Sequence, residues 1–291
     1  LKIEGIITAL ITPFDGHGEV IEGSLRKLVE FQRRAGVNGL FLCGTAGSGA
    51  IMRPDQKKRV FEVAAEASGG RVATIAHVGA PSTEEAIDLA KCAGEAGVDA
   101  IGSVPPYYFA PDEAELTEYF RGLSEAVDLP IFVYNIPRNT NTNIQPELMA
   151  KLCGIRNVVG VKDSSRDFVQ LLEYISALPK EKTVICGTDS YILPALIMGA
   201  KGAITGYANA FPEAYVDFYG LFLKGDLEAA RERQFKLNEL RKALQKPQLA
   251  PHYEALRFRG FEVGRPRPPL RAMNEKESEG LRKRLVELGF L

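Results

Sequence analysis

The sequence predicts an α/β protein, a closed (β/α)8 barrel of the TIM-barrel type with a C-terminal helical extension. Three observations carry this. Eight short apolar runs recur along the chain, and none alternates polar with apolar residues, as befits parallel strands buried on both faces. Amphipathic stretches of helical period lie between them. A junction also recurs: Ala35-Gly36-Val37-Asn38-Gly39, then Ala96-Gly97-Val98-Asp99-Ala100, and more loosely Met198-Gly199-Ala200-Lys201-Gly202. Its first glycine suits the left-handed turn that ends a helix before the next strand. The repeating unit is therefore strand–turn–helix, and eight such units close a barrel. An open doubly wound sheet is the rival, but no G-x-G-x-x-G follows the first run, which weakens its dinucleotide-binding form.

In order, strands are expected at residues 5–11, 39–43, 72–76, 100–104, 131–134, 158–161, 184–186 and 202–205. The run 1–10 lacks a basic start and a cleavage site, so it reads as a strand and not as a signal peptide. Helices are expected at 24–35, 54–67, 83–96, 112–127, 146–152, 167–178 and 191–198. Pro54 suits a first helical turn, and Ser82 with Glu85 spells a capping box. Charged periodic stretches at 226–244 and 275–288, separated by Pro266-Arg267-Pro268-Pro269, read as helices packed on the barrel. Residues 1–210 would form the barrel; 211–291 would supply its last helix and the appendage, as one structural unit.

Composition excludes several classes. Thirty-six Lys and Arg against 37 Asp and Glu give a net charge of −1, no field for nucleic acid. No apolar run is long enough for a membrane span. Cys43, Cys92, Cys153 and Cys186 form no C-x-x-C pair and read as buried reduced thiols, which points to a cytoplasmic protein. Three scattered histidines argue against a zinc site or a metal-dependent aldolase.

Catalytic groups of such barrels sit where strands end. The sixth run ends in Lys162. A lysine closing an apolar strand is either a salt-bridged strand end or a desolvated amine of lowered pKa, fit to form a Schiff base. The fifth run ends in Tyr134, a core aromatic or, beside that lysine, a proton shuttle. After the second run, Gly44-Thr45-Ala46-Gly47 is either a tight turn or a seat for a carboxylate on backbone N–H groups. His77, ending the third run, reads more readily as structural.

Gly44-Thr45-Ala46-Gly47, Pro106-Tyr107-Tyr108, Tyr134-Asn135-Ile136-Pro137 and Gly160-Val161-Lys162-Asp163, in that order, resemble the dihydrodipicolinate synthase / N-acetylneuraminate lyase family of class I pyruvate-dependent aldolases. The resemblance implies that Lys162 forms the imine with pyruvate and that Tyr134 relays protons. It implies that Thr45 links Tyr134 to Tyr108, which enters the site of a neighbouring subunit. A homo-oligomer, a tetramer built as a pair of dimers, follows from it. Ala46 would seat the pyruvate carboxylate, and Gly187 and Ile204 would line the lysine's pocket. The substrates would be a 2-oxo acid and an aldehyde, with no metal or organic cofactor.

Three departures bear on the aldehyde. Ala46 stands where the family has a hydroxyl residue. Ser48-Gly49 replaces the usual glutamate and, with Gly264-Arg265-Pro266-Arg267-Pro268-Pro269, looks like archaeal 2-keto-3-deoxygluconate aldolases. The arginine that dihydrodipicolinate synthases carry two residues after the proline is replaced by Asn139, with Arg138 one place earlier. These favour a 2-keto-3-deoxy sugar-acid aldolase, with Asn139, Ser164 and Asp189 binding hydroxyls and the loops at Tyr207 and Asn209 shaping the choice. Ala110-Pro111, in place of an arginine, argues against phosphorylated sugar acids. The alternatives are dihydrodipicolinate synthase, a sialic-acid-type lyase or a hydroxy-oxoglutarate aldolase, and, remotely, a non-catalytic ligand-binding relative.

Overall fold

The computed structural model describes residues 3–291. Eight parallel strands close in sequence order: β1 (Gly5–Ala9), β2 (Gly39–Leu42), β3 (Ala73–His77), β4 (Ala100–Ser103), β5 (Ile131–Asn135), β6 (Val158–Asp163), β7 (Thr183–Cys186) and β8 (Gly202–Thr205). All eight expected strands are present. Residues 1 and 2 of the first apolar run lie outside the described residues.

Around the strands run α1 (Glu22–Ala35), α2 (Pro54–Ser68), α3 (Thr83–Glu95), α4 (Glu113–Ala126), α5 (Pro137–Thr140), α6 (Pro146–Leu152), α7 (Phe168–Ala177), α8 (Ile192–Ile197) and α9 (Pro212–Leu223). The extension is α10 (Leu227–Ala243), α11 (Ala250–Phe258) and α12 (Glu275–Glu287). The one-turn α5 and the helix α11 were not expected. Pro251 and the short length of α11 hide its period. Gly36 ends α1 at φ 88°, as the recurrent junction implied. The Ser82 hydroxyl accepts from the Glu85 N–H, but Glu85 does not complete a capping box, and its carboxylate lies 3.6 Å from the buried Lys57 ammonium.

The seam between β8 and β1 completes the barrel. Gly5 pairs with Gly202, and a Cβ at residue 202 would stand 2.2 Å from the Gly5 carbonyl oxygen. Beyond the strands, fully buried Asn209 stitches the same seam. Its amide donates to the carbonyls of Ala9 (2.8 Å) and Gly206 (2.7 Å), and its oxygen accepts from the Ile11 N–H (2.9 Å). Gln32 of α1 donates to the Asn209 carbonyl and accepts from the Thr8 hydroxyl. The loop at Asn209 was expected to help shape the choice of aldehyde; the polar atoms of Asn209 itself are spent on closure.

The β5–β6 register carries one irregularity. Ile131 pairs with Val158, but Phe132 pairs with Gly160, so Val159 is an extra residue. Without it Tyr134 would oppose Val161. With it Tyr134 pairs with Lys162 and Asn135 with Asp163. Side chains alternate across a strand, so this one-residue slip decides that Tyr134 and Lys162 share a face. Gly160 is required at the shift, because a Cβ there would meet the Thr183 carbonyl oxygen at 2.0 Å.

The extension is tied to the same end of the barrel. The Tyr253 hydroxyl of α11 donates to the Thr12 carbonyl (2.7 Å). Gln234 of α10 donates to the Asp189 carbonyl and accepts from the Leu193 N–H. One apolar core runs from Ile3 to Leu285 through both parts. All four cysteines are free; Cys43, Cys153 and Cys186 are buried, whereas Cys92 is half-exposed. Among the described residues no helix is long and apolar enough to cross a membrane, and no cluster of His, Cys, Asp and Glu could hold a metal ion.

Replacing Asn209 by Ala removes three hydrogen bonds, two of them buried, and strands the Ile11 N–H and the Ala9 carbonyl. We expect a loss of about 3 kcal/mol, measured as a lower urea midpoint with an unchanged slope. A midpoint like that of the unsubstituted protein would show that the seam does not depend on this side chain.

Candidate active site

The loops after the strands surround a cavity of about 800 Å³. Lys162 reaches its floor from the end of β6. Its side chain is 4% exposed and lies in no ion pair within 4.0 Å among the described residues. The salt-bridged alternative for this lysine is therefore not what is found. Its Nζ stands over two aromatic faces instead, 3.7 Å from the Tyr134 ring centroid and 4.1 Å from that of Phe41. Those π faces stabilise a cation only partly. Burial therefore holds the Lys162 pKa below the ordinary lysine value, although Tyr134 and, more weakly, Asp189 pull it back up.

Phe41 was not singled out from sequence. Its ring fills the barrel beneath the lysine, and Gly102 makes room for it, since a Cβ there would sit 2.7 Å from the ring. A phenylalanine within an apolar strand carries no mark that it faces a functional group.

Burial alone would raise the Tyr134 phenol, but the neighbouring Lys162 charge and the Thr45 hydroxyl outweigh it and draw the pKa down. The amine and the phenol thus both give up a proton more readily than when free. The Thr45 Oγ1 is 3.4 Å from the Tyr134 hydroxyl, long for a hydroxyl pair. The N–H groups of Thr45 and Ala46 have no acceptor within the protein among the described residues, and both residues line the cavity. Gly187 and Ile204 also line it, as do Asn139 and Ser164.

Asp189 lines the cavity too, but it is engaged. Its Oδ1 accepts from the Thr205 hydroxyl and from the Tyr215 hydroxyl (3.2 Å), which leaves Oδ2 free. Burial pushes its pKa up to about 6, partly offset by those two donors.

Tyr108 is the one candidate that the fold does not bring into this cavity. It is 86% exposed, at φ 87°, with its ring packed edge-on against the equally outward Phe109 at 5.1 Å. A second cavity of about 280 Å³ adjoins the first and shares Thr45, Ile136, Asn139, Gln248 and Leu249 with it. Tyr107 and His77 line this smaller space. Both His77 nitrogens lack a hydrogen-bond partner, and burial depresses its pKa to about 3, so the imidazole is neutral. It packs edge-on against Tyr134 at 5.8 Å.

Sequence reasoning missed much of the outer wall. Arg166 lies in the loop after β6, only four residues beyond Lys162. Gln245, Lys246 and Gln248 come from the α10–α11 connection, and Arg271 and Glu277 from the tail. Arg271 and Glu277 form a two-pronged ion pair, both bonds 2.6 Å. Proximity in sequence could have flagged Arg166; nothing in the pattern located the tail residues over the cavity.

Every non-glycine residue of positive φ among those described, namely Cys43, Ser48, Tyr108, Asn141, Arg166 and Leu249, sits in these loops or in the covering segment. Backbone strain concentrated in this way marks a functional end of the barrel.

Comparison with known proteins agrees with the geometry. The dihydrodipicolinate synthetase family model matches residues 2–288. The 4-hydroxy-tetrahydrodipicolinate synthase of Desulfotalea psychrophila is 36% identical over 292 residues, covering 100% of this chain and 98% of that protein. The enzyme of the same name from Methanopyrus kandleri is 38% identical, with 100% and 98% covered. Among solved structures, YagE, a prophage protein of Escherichia coli K12 in complex with pyruvate, superposes with a TM-score of 0.96 at 28% identity, covering 100% of both chains. Dihydrodipicolinate synthase from Aquifex aeolicus gives 0.93 at 33% identity, with 99% of each chain covered. The chain therefore belongs to the dihydrodipicolinate synthetase family, whose members are carbon–carbon lyases that join or release pyruvate through a lysine Schiff base without a metal cofactor.

Proposed function

We propose that Lys162 is the imine-forming lysine and that this chain is a 2-keto-3-deoxy sugar-acid aldolase. The observation that carries the imine assignment is the Lys162 amine, buried without a carboxylate partner and stacked on Tyr134 at the floor of the large cavity. Its Nζ attacks the ketone carbon of pyruvate, water leaves, and a cationic iminium remains. The pyruvate carboxylate rests on the free N–H groups of Thr45 and Ala46. Tyr134 takes a proton from the methyl carbon to give the enamine, which attacks the aldehyde. The new alkoxide takes the proton back through Tyr134, Thr45 and a tyrosine from another copy. Hydrolysis then frees Lys162. Cleavage is the same sequence reversed.

The sugar-acid reading is supported by Asn139, Ser164 and the free Oδ2 of Asp189 around the cavity, neutral and acidic groups suited to hydroxyls. A second reading, condensation with aspartate semialdehyde, is favoured by the names of the relatives and by Arg138. That residue lines the cavity despite its one-place shift. For the oligomer, a tetramer of paired dimers is supported by the exposed, strained Tyr108 and by the empty space beside Thr45 that such a ring would fill. A cytoplasmic location is part of the same reading.

Incubation with pyruvate followed by borohydride should leave a reduced adduct on Lys162, mapped by mass spectrometry, and Lys162→Ala should leave none. A folded protein that forms no adduct over a wide range of pyruvate concentrations would remove the imine assignment. The rate of adduct formation should rise with pH as Lys162 loses its proton, with a midpoint below that of free lysine. Tyr134 raises the lysine's pKa, so Tyr134→Phe should move that midpoint to still lower pH. The same variant should lower turnover by at least about 100-fold, the usual loss on removing a general acid–base. A midpoint unmoved in Tyr134→Phe would show the two groups to be uncoupled.

Light scattering should give the mass of four chains. Tyr108→Ala should lower turnover by about 100-fold or more although the ring is exposed in a single copy. Full activity in that variant, or in a monomer, would sink the shared site.

A further inference from the structure

The smaller cavity beside Thr45 is lined by two buried polar side chains whose hydrogen-bonding atoms are unmet. Both His77 nitrogens and the Ser48 hydroxyl lack a partner among the described residues. Each side chain is more than nine-tenths buried. The other hydroxyls of this wall are engaged. Thr140 is shared between the carbonyls of Ile136 and Thr142, and Thr45 faces Tyr134.

An unmet imidazole is costly inside a protein. His77 packs between Phe41 and Tyr134, each ring centroid 5.8 Å from its own. An apolar side chain would fill that gap without the cost. Gly79 leaves room beside the imidazole, since a Cβ there would stand 3.0 Å from Nε2. Much of the remaining wall is apolar, with Ile51, Val104, Leu249 and Leu270. Apolar walls around a few polar atoms suit an occupant that is a ring with one polar tip. The chain offers such a group on its own surface. Tyr108 is 86% exposed at φ 87°, beside the exposed Phe109.

We propose that His77 is a positioning residue of the proton relay: its ring N–H donates to the phenol oxygen of Tyr108 from a second copy and turns that hydroxyl toward Thr45. Burial and the charges of Lys57 and Lys162 hold the His77 pKa at about 3, so the imidazole is a poor base and acts through its single N–H. With that bond made, the hydroxyl of Tyr108 donates to Thr45, and that of Thr45 donates to the Tyr134 oxygen. The hydrogens then all point toward Tyr134. This order stabilises the Tyr134 oxygen when it is without its own proton, the state in which it can take one from the pyruvate methyl. The inference rests on the shared-site reading above and adds the group that receives the entering phenol.

The test is washout of the methyl protons of pyruvate into heavy water, followed by proton NMR, which reads this step without an aldehyde. His77→Phe keeps an aromatic ring but loses the donor, and it should slow washout by about tenfold, the factor that one hydrogen bond supplies. His77→Gln, which keeps an N–H, should restore most of the rate. The deciding comparison is a cycle with Tyr108→Phe. If His77 acts through the phenol, the double variant washes out no more slowly than Tyr108→Phe alone, to within about twofold. Losses that multiply in the double variant would assign His77 to packing and overturn the proposal, as would an unchanged rate in His77→Phe. Borohydride trapping on Lys162 and the mass by light scattering are measured for each variant. If His77→Phe loses the adduct or changes the mass, His77→Leu takes its place in the cycle. Normal washout in Tyr108→Phe would overturn the shared site and this inference together, whereas a slow Tyr108→Phe with an unaffected His77→Phe overturns this inference alone.

Discussion

An eight-stranded parallel sheet buried on both faces has no free edge only when its last strand meets its first. In this chain the meeting is made by two glycines at one end of the seam and a buried asparagine beyond the other. Gly5 and Gly202 let the backbones approach to a separation that a methyl group would prevent. Asn209 then satisfies the backbone groups of Ala9 and Ile11 where the ladder runs out. Closure gathers all eight strand ends into one ring. The loop after β2 thereby stands across from β5 and β6, and Thr45, Tyr134 and Lys162, distant in sequence, become neighbours. The unsatisfied backbone groups of an open sheet would be costly in this apolar setting, so the closed form and the assembled site stand together.

Within that frame a smaller constraint sets the chemistry. The extra residue in β6 advances Lys162 by one place and turns it inward beside Tyr134. An inward lysine is buried and, among the described residues, has no carboxylate within ion-pair distance, only two π faces, so its charged form is disfavoured. The same positive charge makes the phenol more acidic. Burial lowers the amine and the amine's charge lowers the phenol, so one juxtaposition readies both groups to release a proton. The neutral His77 beside Tyr134 fits this picture, because a second cation there would oppose both Lys162 and the iminium.

How much of this was legible follows from what a linear pattern encodes. The eight strands could be located because burial on both faces leaves apolar runs of fixed length, and Gly36 and Gly97 punctuate them. Lys162 stood out because a charge at the end of such a run contradicts its surroundings. The bulge at Val159 was not legible, because one more valine in an apolar strand changes no pattern. Phe41 was hidden for the same reason. Asp189 lines the cavity, but its use by Thr205 and Tyr215 depends on contacts across 16 and 26 residues. The outer wall was least legible. Arg271 and Glu277 reach the cavity through helices whose charged periodicity fixes their secondary structure but not where they dock.

That division also separates the reaction from the choice of aldehyde. Imine chemistry depends on the barrel interior, where strand register and close packing leave few alternatives. The outer wall of the cavity is made by the loops and the segment joining α10 to α11, which the barrel anchors but does not specify. There the chain holds six non-glycine residues in a left-handed conformation. Each costs on the order of 1–3 kcal/mol. The backbone of Leu249 is held between α10, fastened through Gln234, and α11, fastened through Tyr253. Such strain persists only where the surroundings over-determine it, and here a closed barrel and two docked helices do so. A rigid interior therefore lets the rim carry conformations that a freer loop would relax. At Arg166 relaxation needs only a glycine, so the strained guanidinium is the wall feature whose retention folding explains least.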